Sequence, residues 1–491
     1  MLVKKFLITA LFIVFFSSSA FSTLSYEGTF GIKPLPEKWN NTGKVAVNTF
    51  RITFTPSLSL SNWPFQVVTK YPYSWGTPTN PAENVFYLQE ELPEFLKLEF
   101  SLVSNGFCLF ISIPIQKEFQ NRLKTLETMH NVPFDFSIDL NFPHEAYLYY
   151  AKDIFFVSVG RFKLSWGDAR YPVQVSPVTS FDNLTFSIKF ENVLFTFHAI
   201  PSYPLLTPEE YKIQKEYSDQ HTKGLYFYEP SKYIFAHRLD FYKKFGGDFT
   251  FRLGIGEISV VGGKFPDLID LSPAIFYHNT YGEGYSNISG GADFSLTYKD
   301  RVKFYGELVF DDLISLTEVG SNYKPGAFAY NVGVNLKFEN QEIWFEYART
   351  SEWMYVTNYL PYLRINVRKF YIQNFPPARF LVDYPLGFVY GPDARMISFG
   401  FEGSLGNANY SIEYNYLVKG LVNDNGKIRW KWFWDGWQGN VSEPGASTPE
   451  KTGEGQYHLV TGKFRWKNVY LLYRTVDFKN HYLGLALSYE W

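Results

Sequence analysis

The chain has 491 residues, of which 20% are aromatic, with a net charge of −2 and one cysteine, Cys108. This composition offers no basic surplus for nucleic acid, and a lone cysteine excludes an internal disulfide framework or a cysteine-rich metal site. The length would suit about three ordinary domains, unless one large closed sheet uses most of it.

Residues 1–22 read as an export signal. Lys4 and Lys5 are the basic region, Phe6 to Phe16 the apolar core and Ala20-Phe21-Ser22 the cleavage site. The apolar core is shorter than the roughly 20 residues of a spanning helix, and no later run of 18 apolar residues occurs. Residues 23–96 are irregular, with clear alternation only near Val45 to Phe54; they are expected to form a periplasmic or plug segment. From residue 97 to 491 the pattern is that of strands. Two of them flank Asn105-Gly106, a type I′ hairpin signal. Near 115–130, Phe119, Leu123, Leu126 and Met129 recur at spacings of three and four, which predicts an amphipathic helix that plugs or caps the sheet.

Beyond it the chain is a meander. Strands are predicted near 133–141, 145–151, 154–162, 182–190, 193–200, 232–243 and 248–257. They continue near 290–298, 301–310, 328–338, 342–349, 396–404, 408–417, 456–466, 469–476 and 482–491. The stretch from Ala292 to Phe310 shows the pattern best. Phe294, Leu296, Phe304 and Leu308 fall on one face, and Asp293, Ser295, Lys303 and Glu307 on the other, around the turn Lys299-Asp300. Such strands can cross a bilayer when tilted, which takes roughly 9 to 11 residues. Loop lengths segregate as well. Short turns at Glu191-Asn192, Lys299-Asp300, Glu339-Asn340 and Lys467-Asn468 alternate with long connections such as 163–181, 350–395 and 418–455.

The expected fold is therefore all-β: a transmembrane antiparallel meander barrel of about 18 strands, with aromatic girdles, in the bacterial outer membrane. The last strand places Leu483, Leu485, Leu487, Tyr489 and Trp491 on one face. It resembles the terminal strand that such proteins present to the barrel-assembly machinery, an expected partner in biogenesis.

Several segments resemble the Wzi-type capsule-assembly outer-membrane proteins. They are Val159-Gly160-Arg161 leading to Trp166-Gly167 and Ser176-Pro177, then His237-Arg238, Gly254-Ile255-Gly256-Glu257, Pro273, and Tyr305-Gly306-Glu307 ending in Asp311-Asp312. The likeness covers about residues 155 to 315 in the family's order. It implies an 18-stranded barrel closed by helices and loops, whose outer loops hold exported polysaccharide, and it implies no enzymatic activity. A porin or substrate-specific channel is the alternative function.

Three groups of residues carry candidate chemistry. Trp430, Trp432, Trp434 and Trp437 offer faces for sugar stacking, or else an interfacial girdle or packing into the lumen. Arg364, Arg368 and Lys369 suit acidic polysaccharide, anionic lipopolysaccharide or plain solvation. Glu307, Asp311 and Asp312 can hold calcium or act as acid and base, but the leading reading is ion pairing in a lumen network with Arg161, Lys163, Arg238, Arg252 and Lys303. No nucleophile elbow, zinc helix or phosphate loop is present, and Gly254-Ile255-Gly256 lacks the third glycine of a dinucleotide loop. No cofactor or metal is expected. Membrane lipid, lipopolysaccharide and surface polysaccharide are the expected partners.

Overall fold

The computed structural model describes residues 47–62, 93–117, 129–133, 145–177, 180–201, 229–263, 286–312, 326–355, 386–424, 426–431 and 451–491, with short pieces at 73–74, 77–78, 138, 265, 365–371 and 378–384. Among them there is no helix. The export signal and most of the predicted helix near 115–130 lie outside the described residues; the ends of that insertion, Ile115 and Met129–His130, are strand.

One antiparallel sheet of 22 strands accounts for most of the described chain. Its principal strands begin with β1 (Val47–Phe54), β2 (Ser57–Ser61), β3 (Leu96–Ser104), β4 (Phe107–Ile115), β5 (Glu145–Lys152) and β6 (Phe155–Lys163). Next come β7 (Ser180–Phe190), β8 (Val193–Pro201), β9 (Glu229–Phe245), β10 (Phe249–Gly263), β11 (Ser286–Tyr298), β12 (Val302–Asp312), β13 (Ala327–Phe338) and β14 (Gln341–Thr350). The series ends with β15 (Ala394–Leu405), β16 (Ala408–Asp424), β17 (Lys451–Trp466), β18 (Val469–Val476), β19 (Asn480–Leu487) and β20 (Tyr489–Glu490). From β3 to β19 each strand pairs with the next.

The pairing returns to its start. β1 pairs with β3 from Val47↔Val103 to Phe54↔Leu96, and with β20 through Thr53↔Glu490. β2 continues the same register onto β19, from Ser57↔Ala486 to Ser61↔Tyr482. The amide of Ile52 donates to Trp491 O at 2.9 Å and the amide of Trp491 donates to Ile52 O at 3.0 Å. Pro56, which has no N–H to give, interrupts β1 and β2, yet its carbonyl accepts from Leu487 N at 3.0 Å. β1 with β2, and β19 with β20, thus act as single staves, and the 20 labelled strands make an 18-stave meander.

The membership of these staves differs from the sequence expectation in one described place. The predicted strand at 133–141 lies outside the described residues except for Pro133, which has no regular structure, and Ile138, which bridges to Lys117. The segment 23–96, read as irregular, supplies a stave, β1 and β2. Phe50, Leu58 and Leu60 are exposed on one face of it, but the proline and the polar Thr and Ser between them break up the alternation.

The turns fall as read. Every connection at one end is short: 105–106, 153–154, 191–192, 246–248, 299–301, 339–340, 406–407 and 467–468. Asn105 (φ 47°) and Gly106 (φ 86°) both take the left-handed region that a type I′ hairpin demands. The other end carries the long connections, with one short exception at 477–479. Several strands run further into those connections than predicted: β9 starts at Glu229, and β16 and β17 extend to Asp424 and from Lys451. The 351–393 connection contains a separate ribbon, Ile365–Tyr371 paired with Ala378–Tyr384.

Period two divides the sheet into two faces. On β12, Phe304 and Leu308 are 44% exposed, whereas Tyr305, Glu307 and Val309 are buried on the inner face. The same outward row includes Val159, Leu184, Ile255, Leu296, Phe345, Phe399 and Ile412. A disulfide tests the seam between the chain's first and last staves. With Cys108→Ser to remove the native thiol, Thr53→Cys with Glu490→Cys should oxidise to a crosslink, because facing Cα atoms on antiparallel strands lie within disulfide reach. Its absence from folded protein, judged by mobility on unheated gels with and without reductant, would refute this pairing.

Candidate functional site

The inner face is packed against segments that leave the strand ends and fold inward. The main one is 164–177, the connection after β6. Leu164, Trp166, Val173 and Val175 are almost fully buried, in one apolar core with Met354, Tyr355, Leu386, Phe388, Tyr390 and Trp430. This segment has no regular structure, so its amides need partners other than a ladder. Carboxylates of the wall strands supply them. Glu346 accepts from the amides of Arg170 and Tyr171, both at 2.9 Å, and Glu307 accepts from the amide of Val173 at 2.7 Å. The Tyr305 hydroxyl donates to the same Glu346 at 2.9 Å. An unpaired buried amide would cost about 1–3 kcal/mol, so these two glutamates decide whether the segment can stay inside.

Side chains of 164–177 tie it to the wall near the short-turn end. Arg170 bonds Glu342 and, at 3.1 Å, Glu402, with its guanidinium 4.6 Å from the Trp344 ring centre. The Tyr171 hydroxyl bonds Glu413 and accepts from Asn415 at 2.8 Å. Higher up, Gln174 donates to Gly256 O at 3.1 Å, and the Ser176 amide donates to Leu386 O at 2.7 Å. The Tyr355 hydroxyl bonds the Val173 carbonyl, and its own amide donates to Asp311 at 2.8 Å. Glu307 and Asp311 thus each accept an amide of inward-folded backbone.

Beside this lies a run of alternating charge. Lys303 meets Asp168 at 2.9 Å, Arg252 meets Asp168 at 3.9 Å and Asp240 at 2.9 Å, and Arg238 meets Asp240 at 2.7 Å and Asp293 at 2.5 Å. Burial works to raise the Asp168 carboxyl, but Lys303 and Arg252 outweigh it and hold that carboxyl below its ordinary value. Arg238 is wholly buried, fork-bonded to both aspartates, and 5.4 Å from the Trp166 ring centre. The Gly254-Ile255-Gly256 motif acquires a physical reason here. A Cβ on Gly254 would stand 1.8 Å from the Arg238 guanidinium, and one on Gly256 would stand 2.6 Å from the Trp166 ring. The glycines make room for side chains, not for a phosphate.

The structure places Arg238, Arg252 and Lys303 in one run of charge with Glu307 beside it, and Asp311 on the Tyr355 amide. Arg161 and Lys163 are not in the interior. On β6 the buried residues are Phe156, Ser158 and Phe162, so residues 161 and 163 share the outer face with Val157 and Val159. There Arg161 pairs with Asp182 at 2.8 Å. Asp312 ends β12, and its side chain lies outside the description. Trp430 takes the packed alternative: it is buried, its indole N–H donates to the Tyr457 hydroxyl at 2.8 Å, and its ring meets Tyr390 edge-on. Trp432, Trp434, Trp437 and Arg364 lie outside the described residues, and Arg368 and Lys369 sit on the strand Ile365–Tyr371. Sequence reasoning missed Asp240, Asp293 and Glu346, although inward parity on β9, β11 and β14 marks them. Asp168, Arg170 and Tyr171 lie in a connection with no periodic signal.

No protein-family model and no curated protein matches the chain. Solved structures do. Wzi of Escherichia coli, described as a carbohydrate-binding outer-membrane β-barrel involved in group 1 capsule assembly, is 12% identical over 90% of this chain and 84% of its own, with a TM-score of 0.47. OccK3 of Pseudomonas aeruginosa is 8% identical over 90% and 95%, at 0.41. OprD of the same organism is 5% identical over 92% and 97%, at 0.39. The scores are low, and the architecture rests on the strand pairing, not on these likenesses.

Arg238 provides the sharpest energetic test. Arg238→Met should lower unfolding stability by about 3–5 kcal/mol, because it strands Asp240 and Asp293 as buried charges. Lys163→Ala, on the outer face, should change it by no more than about 0.5 kcal/mol. Denaturant titration of both variants in the same detergent checks the contrast, and equal losses would contradict the face assignment.

Proposed function

We propose that this chain is a closed transmembrane β-barrel of the bacterial outer membrane, with a lumen stoppered by its own segments, and that it binds surface polysaccharide rather than conducting solute. The observation that carries the reading is the occupied interior. Residues 164–177 are buried among strands β9 to β16 and held by Glu307, Glu342, Glu346, Glu402 and Glu413. Residues 386–390 and Trp430 continue the same packing. A conducting channel needs a continuous aqueous path, and an apolar core with interlocked ion pairs at its wall leaves little room for one. The ring of strand pairing, the apolar outer face and the segregation of short turns from long connections support the membrane reading.

The polysaccharide part rests on the residue-level resemblance to Wzi-type proteins. Several of the residues quoted for that resemblance meet in the interior. Trp166, Arg238, Gly254 and Gly256 touch one another, and Gly167 stands against Glu307. The shared residues thus build the stopper and its anchor, and the ligand surface is left to the long connections. The stopper described here comes from the connection after β6, and most of the N-terminal part expected to plug or cap the sheet lies outside the described residues. With its acidic groups engaged in anchoring, this reading assigns the protein a binding role without catalysis.

Reconstituted in a planar bilayer, the wild-type protein should show no steady conductance. Replacing residues 168–174 by a Gly-Ser segment of equal length should open stable ion-conducting steps. Steady wild-type conductance would instead favour a porin. On the ligand side, Trp432→Ala with Trp434→Ala should weaken polysaccharide retention by about 1–3 kcal/mol for the pair, with barrel folding unchanged. Full retention by the folded variant would remove sugar stacking from that loop.

A further inference from the structure

A second charged site lies on the outer face, away from the stopper. Arg349 on β14 and Arg395 on β15 are direct cross-strand partners. Both stand at the long-connection end of their strands. On β14 the buried residues are Trp344, Glu346, Ala348 and Thr350, and on β15 Ala394, Met396 and Ser398. Residues 349 and 395 therefore project outward, and both are exposed. Like charges directly opposite each other on a sheet repel, so this placement calls for an anion between or above them.

The surroundings do not supply one for Arg349. Arg395 is engaged by Glu454 at 2.5 Å, Lys451 by Asp393 at 3.0 Å and Glu454 at 3.7 Å, and Glu352 by Lys431 at 3.0 Å. The nearby carboxylates are thus each held by another cation. Among the described residues Arg349 makes no ion pair; its guanidinium lies over the Phe328 ring at 5.9 Å. A cleft of about 240 Å³ opens here, its lining including Arg349, Arg395 and Lys451 and the paired carboxylates of Glu352, Asp393 and Glu454.

Height fixes what can fill it. Tyr330 is the cross-strand partner of Arg349 on its other side, and one outward step toward the short-turn end Tyr347 faces Ile397, with the Tyr330 and Tyr347 rings 5.9 Å apart. Below these come Phe345 and Phe399, both nearly half exposed. Tyrosines mark the edge of a hydrocarbon layer, so the arginines stand at the level of lipid headgroups, above an apolar wall for acyl chains. A guanidinium pair matches phosphate oxygens in geometry and charge.

We propose that the Arg349–Arg395 cleft binds the phosphate-bearing headgroup of an outer-leaflet glycolipid. This rests on the outer-membrane reading above. The probe is lipid A carrying both phosphates, added to full-length protein purified from outer membranes in mild detergent, with occupancy read by native mass spectrometry. Enzymatically dephosphorylated lipid A and inorganic phosphate are the comparison ligands. Wild-type protein should retain the phosphorylated lipid, and inorganic phosphate at equal concentration should not displace it. Arg349→Ala with Arg395→Ala should bind it at least roughly tenfold more weakly, as expected for losing charge-assisted hydrogen bonds, and the dephosphorylated lipid should bind the wild type equally poorly. Arg349→Lys with Arg395→Lys, which keeps the charge but loses the fork, should fall between. If the double alanine variant fails to fold, Arg349→Gln alone should still lose several-fold. Equal binding by variant and wild type, equal binding of the dephosphorylated lipid, or displacement by inorganic phosphate would each overturn the site. Cell fractionation separates the two readings. Absence from the outer membrane overturns the membrane placement and this site with it, whereas outer-membrane protein without phosphate preference overturns the site alone.

Discussion

A backbone amide or carbonyl facing hydrocarbon without a partner costs several kcal/mol. If this sheet spans a bilayer as proposed, that constraint requires its first strand to meet its last. The bonds between Ile52 and Trp491 make that meeting here. Once they form, every inner-face residue is committed to a bounded interior, and its chemistry must be settled there. The buried Asp240, Asp293, Glu307 and Glu346 follow from this. They cannot reach bulk water, so they are matched by Arg238 and Arg252, by hydroxyls, or by the amides of a segment with no ladder of its own.

The interior is specified by polar groups as much as by apolar packing. The apolar members of 164–177 could settle on many hydrophobic surfaces, but the amides of Arg170, Tyr171 and Val173 are satisfied at one register only. The alternating charges from Lys303 through Asp168, Arg252, Asp240 and Arg238 to Asp293 add a second constraint, since a shift of the segment by one residue would bring Gly167 or Ala169 to Lys303 and leave that cation without Asp168. Buried ion pairs of this kind contribute little net stability against hydrophobic replacement. What they provide here is a definite position for a segment with no secondary structure.

Period-two alternation made the strands legible because each outward residue faces one environment and each inward residue another. It identified Phe304 and Leu308 as outward, and Lys303 and Glu307 as inward. It failed where the pattern was interrupted or extrapolated. Pro56 hid the stave formed by β1 and β2. Arg161 and Lys163 were assigned inward from their charge, although parity with Phe156 and Phe162 places them outward. The path of 164–177 was not legible at all. It depends on contacts with residues more than a hundred positions later, such as Glu307 and Glu346, and nothing local encodes them. The glycines at 254 and 256 were visible as a motif, but their purpose emerges only with Trp166 and Arg238 in place.

The partners of 164–177 all come later in the chain than the segment itself. Glu307, Glu346, Glu402 and Glu413 lie on β12, β14, β15 and β16, while the seam between the first and last staves needs Trp491, the final residue. These contacts can be complete only once β12 to β16 are in place, so the residues that position 164–177 also couple an early connection to strands far later in the chain.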